Sequence, residues 1–350
     1  MLASLRALLL PRRAPATEPG ATAGEAAPAT VTMHSVADFP LAPHLSRSHG
    51  LPVLDWQQAG AWVALGTGAE QQAEAWARCE RAWLMHLQAA LGPAYRLQES
   101  GKALLLSSLE PRVAAATLDF INRTGQRVLR VLEGIAQAPA WGHDILIVFD
   151  DAEGYYRYVS HYYPEAGEFA ASSGMHIDAG CGHFVTVKAD LRAIEPIIAH
   201  EMTHACLGHL PIPAWLNEGL AVNTEHRLSP LPGAPLHTPQ QMHAQHLAFW
   251  GAAEIQQFWS GKSFLRNDEG NLLSYELARI LVEQLSADWP RFRAFACAAQ
   301  LDDGGAAAAA EHLQLDLGAL AGALLEQREP FTDWSPQPAL WHEAPERGAF

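Results

Sequence analysis

The chain has 350 residues, 49% of them hydrophobic, enough for one sizeable domain with a substantial buried core. Its 38 acidic residues against 23 Lys and Arg leave a net charge of -15, and the only basic run is the pair Arg12-Arg13. Phosphate recognition needs clustered positive charge, so nucleic acid is not an expected partner. Cys79, Cys181, Cys206 and Cys297 lie far apart with no C-x-x-C spacing and read as reduced buried thiols. The opening MLASLRALLL lacks a basic start, is interrupted by Arg6, and is followed by Pro11-Arg12-Arg13 where a cleavage site would need small residues. A cytoplasmic location is the expectation, and no apolar stretch is long enough to span a bilayer.

Residues 1–48, rich in Ala, Pro, Thr and Gly from Pro11 onward, read as a disordered lead-in. Between Glu70 and Leu91, Trp76, Trp83, Leu84 and Leu87 recur at helical spacing, the tryptophans as core filling, and Gly92-Pro93 ends the pattern. Short strands are predicted at Leu97 and over Ala103 to Leu106, with a turn at Ser100-Gly101. Val113, Leu118, Ile121, Val128 and Leu132 line one side of a helix from Pro111 to about Ile135. Ile145 to Phe149 is a continuous apolar run suited to a strand buried on both faces. A helix over Glu153 to Tyr163 follows, its tyrosines read as packing. The polar stretch Ser172 to Gly182 then leads to an alternating strand, His183 to Lys188.

Asp190 and Pro196 mark the start of the next helix, with Pro196 expected in its first turn. This helix carries His200-Glu201-Met202-Thr203-His204, where histidines four apart share a face and reach one zinc ion. Glu201 sits beside such an ion, placed to take a proton from the water it activates. Two histidines leave the site one ligand short. Glu218, in Trp215-Leu216-Asn217-Glu218-Gly219-Leu220-Ala221, is the nearest good candidate downstream.

The segment HEMTHACLGHLPIPAWLNEGLA resembles the gluzincin metallopeptidases, and its WLNEGLA resembles the third-ligand helix of zinc aminopeptidases and of compact peptidase-MA-like proteins. The gap from His204 to Glu218 is shorter than in the aminopeptidases and matches the compact group better. The resemblance is sharp over His200 to Ala221 and loose over about Ile145 to Leu325. It implies an α+β zincin-like metallopeptidase fold. A mixed sheet with helices would form a first lobe over about 60–190, and a mainly helical second lobe would cover about 191–329. It also implies that the strand His183 to Lys188 is a sheet edge along which a peptide pairs. Tyr275 resembles in place the tyrosine that stabilises the oxyanion in the aminopeptidases. The glutamate with which those enzymes hold a free amino terminus is missing between Gly174 and Lys188, which speaks against aminopeptidase activity.

His209 competes with Glu218 as a ligand, but it comes five residues after His204, where metzincin spacing needs six. His243 and His246 lie three apart without a carboxylate or cysteine partner at usual spacing, and Cys181 stands shortly before the strand expected to border the site, where a cysteine could cover the zinc in a latent form. The position four after Glu218, an aspartate in thermolysin-like enzymes, is Val222; Asn223, Glu225 or a carbonyl would have to orient a zinc histidine instead. Pro211 and Pro213 separate the two site helices, and Leu228 to Pro239 is a loop suited to a cleft rim. Thr238-Pro239 caps a helix running to Trp250 and continuing in helical rhythm to Trp259. Helices are predicted over Asn271–Leu285, Ala287–Ala299, Ala306–Ala310 and Leu315–Leu325, with the domain ending near 329 and a tail over 330–350.

The expected function is a zinc metallopeptidase with one Zn²⁺ per chain on His200, His204 and Glu218, Glu201 as general base, Tyr275 at the oxyanion, and a peptide or protein as substrate. The alternatives are a catalytically silent peptide-binding module of the same fold and a zinc hydrolase of a non-peptide amide.

Overall fold

A computed structural model describes residues 26–162, 174–188, 191–229, 237–327 and 333–341. Two hairpins come first, β1 (Thr30–Met33) with β2 (Val36–Pro40) and β3 (Leu45–Ser48) with β4 (Leu51–Leu54), followed by α1 (Trp56–Val63) and α2 (Ala69–Leu91). β5 (Arg96–Ser100), β6 (Ala103–Ser107), α3 (Pro111–Val131), β7 (Asp144–Phe149), α4 (Ala152–Tyr162), β8 (Gly174–Asp178) and β9 (Gly182–Val187) then build a mixed sheet ordered β5-β6-β7-β9-β8. Its three inner strands run parallel, and each outer strand pairs antiparallel with its neighbour. The rest is helical: α5 (Leu191–Leu207), α6 (Ala214–Leu228), α7 (Pro239–Phe249), α8 (Ala252–Trp259), α9 (Glu269–Leu285), α10 (Trp289–Ala298), α11 (Ala306–Ala308) and α12 (Leu317–Leu324). The chain is therefore α+β with a mixed sheet. No helix among the described residues is long and apolar enough to cross a membrane.

Successive side chains of a strand face opposite sides, so the apolar run of β7 feeds two cores at once. Ile145, Ile147 and Phe149 pack with Leu104, Leu106, α1, α2 and the hairpins. Leu146 and Val148 pack with Leu105, Phe184 and the helices α3, α5, α6 and α9. The sheet itself thus separates the cores, and α3 shares one with the helices that follow residue 190.

Three expectations need correction. The lead-in is ordered from residue 26: Val31, Met33, Phe39 and Leu41 are buried, Arg78 donates to the Thr32 carbonyl (2.8 Å), and the Trp62 indole donates to the Ala37 carbonyl (2.7 Å). The alternation Val31, Met33 carried that signal, but the surrounding Ala and Pro masked it; residues 1–25 lie outside the described residues. Of the C-terminal tail, residues 333–341 dock on α8, with the Trp259 indole donating to the Trp334 carbonyl (2.7 Å) and the Gln256 amide to the Ser335 carbonyl (2.8 Å). Pro196 lies inside α5 rather than in its first turn, since the helix already runs from Leu191.

A further correction bears on the site. β9 is flanked by β7 and β8, so both its edges are already paired. The sheet's outer strands, among the described residues, are β5 and β8, and the one beside β9 is β8, formed by the stretch that reads from sequence as a polar lead-in. Of the expected rim loop, residues 230–236 lie outside the described residues.

Two helix contacts set where the histidines and Glu218 stand. α6 packs on α5 and on α9, and at Gly219 the approach to α9 is so close that a Cβ would meet the Ala278 carbonyl oxygen at 2.5 Å and Val282 Cγ2 at 2.6 Å. Alanine normally favours a helix over glycine by about 1 kcal/mol, but here α6 would have to move off α9. Gly219→Ala should therefore lower the melting temperature, by an amount equivalent to about 1–3 kcal/mol of overpacking. Gly208→Ala, where the nearest atoms stand at 3.7 Å or more, should leave it nearly unchanged.

The α4 tyrosines are packing residues, and one also fixes a histidine. His183 is buried with Nδ1 2.8 Å from the Cys181 carbonyl; a carbonyl only accepts, so Nδ1 carries the proton and Nε2 accepts from the Tyr158 hydroxyl at 2.7 Å. Burial lowers the His183 pKa to about 4 from an ordinary 6.5, against a smaller opposing effect of the Cys181 carbonyl. The unfolded chain therefore binds an extra proton between these values. Stability is greatest above pH 6.5 and falls as pH drops through the window, by about 2 kcal/mol from pH 7 to 5 for this group. Urea titrations should show a stability-against-pH slope smaller by nearly one proton in His183→Gln than in the parent.

Candidate metal centre

His200 and His204 stand one turn apart on α5, their rings 4.8 Å apart at 78°. Pro213 caps the start of α6 after a short turn, and the second turn of the pair brings Glu218 back against both rings. His200 Nε2 and His204 Nε2 are 3.1 Å apart, and Glu218 Oε2 lies 3.3 Å from the first and 3.4 Å from the second. Donors held at about 2.0–2.1 Å by a tetrahedral zinc ion stand about 3.3–3.5 Å from one another. The three separations match that edge length closely.

The outer ring nitrogens explain why the inner ones are lone pairs. His200 Nδ1 is 3.1 Å from Glu225 Oε2, and His204 Nδ1 is 2.9 Å from Asn217 Oδ1. Both partners are acceptors, so both Nδ1 atoms carry protons and both Nε2 atoms of the neutral rings point lone pairs inward. Glu218 Oε2 is buried and makes no hydrogen bond, since the imidazoles stand at ion-pair distance but off hydrogen-bond direction. Three acceptors so placed repel one another unless a positive charge sits among them.

The pKa values express the same demand. Burial works to lower that of His200, but the adjacent carboxylates of Glu218 and Glu225 and the charge of Glu201 outweigh it and lift it to about 10. His204 moves in the same direction, burial again being outweighed by Glu218. Glu218 is held down at about 2, its burial overcome by the two histidines. Protons can meet the demand, and so can a metal ion.

Glu201 follows His200 by one residue and lies near enough for its charge to act on both imidazoles. Its Oε2 is 3.9 Å from Nδ1 of His176 on β8. Tyr275, on α9, leans over His200 with ring centroids 6.4 Å apart. Burial first, then the charges of Glu218 and Glu201, push its pKa well up, so the phenol stays protonated and able to donate. His176, His204, Asn217 and Glu218 all line a cleft of about 750 Å³.

Of the other residues singled out in the sequence, His209 is exposed and His243 pairs instead with Glu326 (3.0 Å). His246 accepts from the Trp250 indole at 2.8 Å. Cys181 is buried in the cleft wall with Sγ 3.9 Å from Glu80 Oε1 and takes no part in the cluster. Asn223 donates to the Gly219 and Arg279 carbonyls, leaving Glu225 as the partner of His200. Glu225 lies seven residues, about two turns, after Glu218 and so on the same face. Asn217 and His176 were not foreseen: the first depends on how α6 is rotated against α5, and the second on an unrecognised strand.

No family model matches the chain, and no curated protein matches it. Bonds to the outer ring nitrogens ordinarily contribute 10–100-fold to metal affinity. Glu225→Ala and Asn217→Ala should each weaken zinc binding by about that factor in competition with a chromogenic chelator, and Val222→Ala should change it little.

Proposed function

We propose that the chain is a zinc-dependent metallopeptidase of compact gluzincin type, with a zincin-like fold, that hydrolyses peptide bonds within a chain. The observation that carries this reading is the buried Glu218 oxygen 3.3 and 3.4 Å from two imidazole nitrogens, in a cleft whose lining also includes His176, 3.9 Å from the Glu201 carboxylate. His200, His204 and Glu218 would hold the ion, which supplies a Lewis acid and an activated water.

The chain's own residues then have separate parts. Glu201 accepts the proton of the attacking water and returns it to the leaving amine. Tyr275, kept protonated, donates a hydrogen bond to the carbonyl oxygen as negative charge develops there. Glu225 and Asn217 hold the two rings in one tautomer and orientation. The open edge of β8, beside Glu201 through His176, suits an extended substrate that adds as a further strand. Internal cutting follows from the lack of a glutamate on β8 or β9 to anchor a free amino terminus.

Purified protein should hold one zinc per chain, and His204→Ala or Glu218→Ala should lose most of it by elemental analysis. Stoichiometric zinc in both variants would show that the ligands are other residues. Glu201→Gln should keep the zinc and lose about 10²–10⁴-fold in peptide hydrolysis, the usual worth of a general base. Equal rates in parent and variant would rule out Glu201 as the base. A parent that binds peptides and cuts none in a mixed library would be a binding module instead.

A further inference from the structure

Another stretch of wall in the same cleft is built around a buried carboxylate. Glu80 of α2 is only 2% exposed, and both its oxygens are taken: Oε1 accepts from the Trp76 indole at 2.8 Å, and Oε2 accepts from the His143 backbone at 3.1 Å and lies 2.6 Å from His143 Nδ1. With the Cys181 thiol also 3.9 Å from Oε1, the four acceptor sites of this buried carboxylate are occupied and none is left for a ligand. Its effect is to fix the Trp76 ring and the turn from Trp141 to His143 against α2. Gly142 makes the fit possible, with φ at +85° and a position where a Cβ would meet Glu80 Oε1 at 3.0 Å and Trp76 Nε1 at 3.5 Å.

Two features of this wall are left for something else. Trp141 is 44% exposed and leans towards Trp76, the ring centroids 5.9 Å apart and the planes tilted by 42°, so the pair offers an apolar, π-rich surface to the cleft. Asp144, which opens β7, also lines the cleft, and among the described residues its carboxylate makes neither a hydrogen bond nor an ion pair within 4.0 Å. Lys102, on the same wall, donates instead to the Pro139 carbonyl at 2.8 Å. Burial raises the Asp144 pKa, with the charges of Lys102 and His143 opposing from beyond ion-pair distance, which marks a carboxylate drawn partly out of water without a direct ion pair. Leaving such a group unpaired is costly, and a cation entering the cleft would remove that cost.

We infer that Trp76, Trp141 and Asp144 form a subsite for a lysine or arginine side chain of the substrate, with the cation on Asp144 and the methylene stem along the indoles. The inference rests on the reading of this cleft as a peptidase cleft. An ammonium or guanidinium near an indole face is attracted by the ring quadrupole, and its stem covers apolar area that now faces water. A purely apolar side chain would use the indoles and leave Asp144 unpaired. An acidic one would meet Asp144 and Glu80 with like charge.

The test uses two acetylated, amidated pentapeptides of alanine with lysine or norleucine at the centre, alike in stem length and different in charge. Binding is measured by calorimetry to the full zinc-loaded chain carrying Glu201→Gln, so that turnover does not enter. The lysine peptide should bind about tenfold more tightly, the worth of a desolvated cation contact. Asp144→Asn in the same background should bring the two peptides to within about twofold of each other, and Trp141→Ala, at an exposed position, should weaken the lysine peptide about threefold. Equal binding of the two peptides, tighter binding of norleucine, or binding of neither overturns the subsite. Cleavage by the parent is scored separately. Internal cutting without a lysine preference in binding removes the subsite and leaves the peptidase, whereas an Asp144-dependent lysine preference without cutting keeps the subsite and removes the peptidase.

Discussion

Two imidazole nitrogens and one carboxylate oxygen from two helices are held at about 3 Å from one another, and much of the surrounding structure serves to keep them there. Their mutual repulsion would turn the rings away if the outer nitrogens were free. Instead Glu225 and Asn217 hold each Nδ1, and both partners come from α6, the helix that also carries Glu218. One rigid helix thus delivers the Glu218 carboxylate and both ring supports. A shift of α6 would disturb all three together, which is why the absence of a side chain at Gly219, where α6 lies on the α9 backbone, matters to the site.

Behind that pair of helices the mixed sheet divides the interior. Because β7 feeds apolar side chains to both faces, the hairpins with α1 and α2 on one side and α3, α5 and α6 on the other are tied to the same five strands. The cleft draws on both. His204 and Glu218 come from the helical side, while Trp76 and Glu80 come from α2 beyond the other face. The N-terminal hairpins, the first bonded to α1 and α2 through Trp62 and Arg78 and the second to α2 through Trp83, therefore support one cleft wall although they lie far from the histidines in sequence.

Charge is arranged in layers around this cleft. Glu80 is spent wholly on protein donors, Glu225 on one imidazole, and Glu218 on the centre of the cluster. Glu201 and Asp144 are the carboxylates with room for an outside partner, the first near His176 at 3.9 Å and the second without an ion pair among the described residues. In a chain of net charge -15 these are not simply surface acids, because each is placed by an element that packs in a core.

The sequence alone was enough wherever one element sufficed. The 3.6-residue period puts His200 and His204 on one face, the apolar run Ile145 to Phe149 suits a strand buried on both faces, and Thr238-Pro239 starts its helix without help from distant residues. What needed tertiary structure were the relations between elements. Whether Val222, Asn223 or Glu225 faces His200 depends on the rotation of α6 against α5, and Asn217 becomes a partner of His204 for the same reason. The sheet edge on the side of the histidines falls on β8 rather than β9 because strand order is set by long-range pairing, which alternation within one strand does not record. Trp76 reads as core filling from its helical spacing, and only the turn at Gly142, packed on Glu80, makes it a cleft wall. Local periodicity says which face of an element is buried; what that face meets is decided by the rest of the fold.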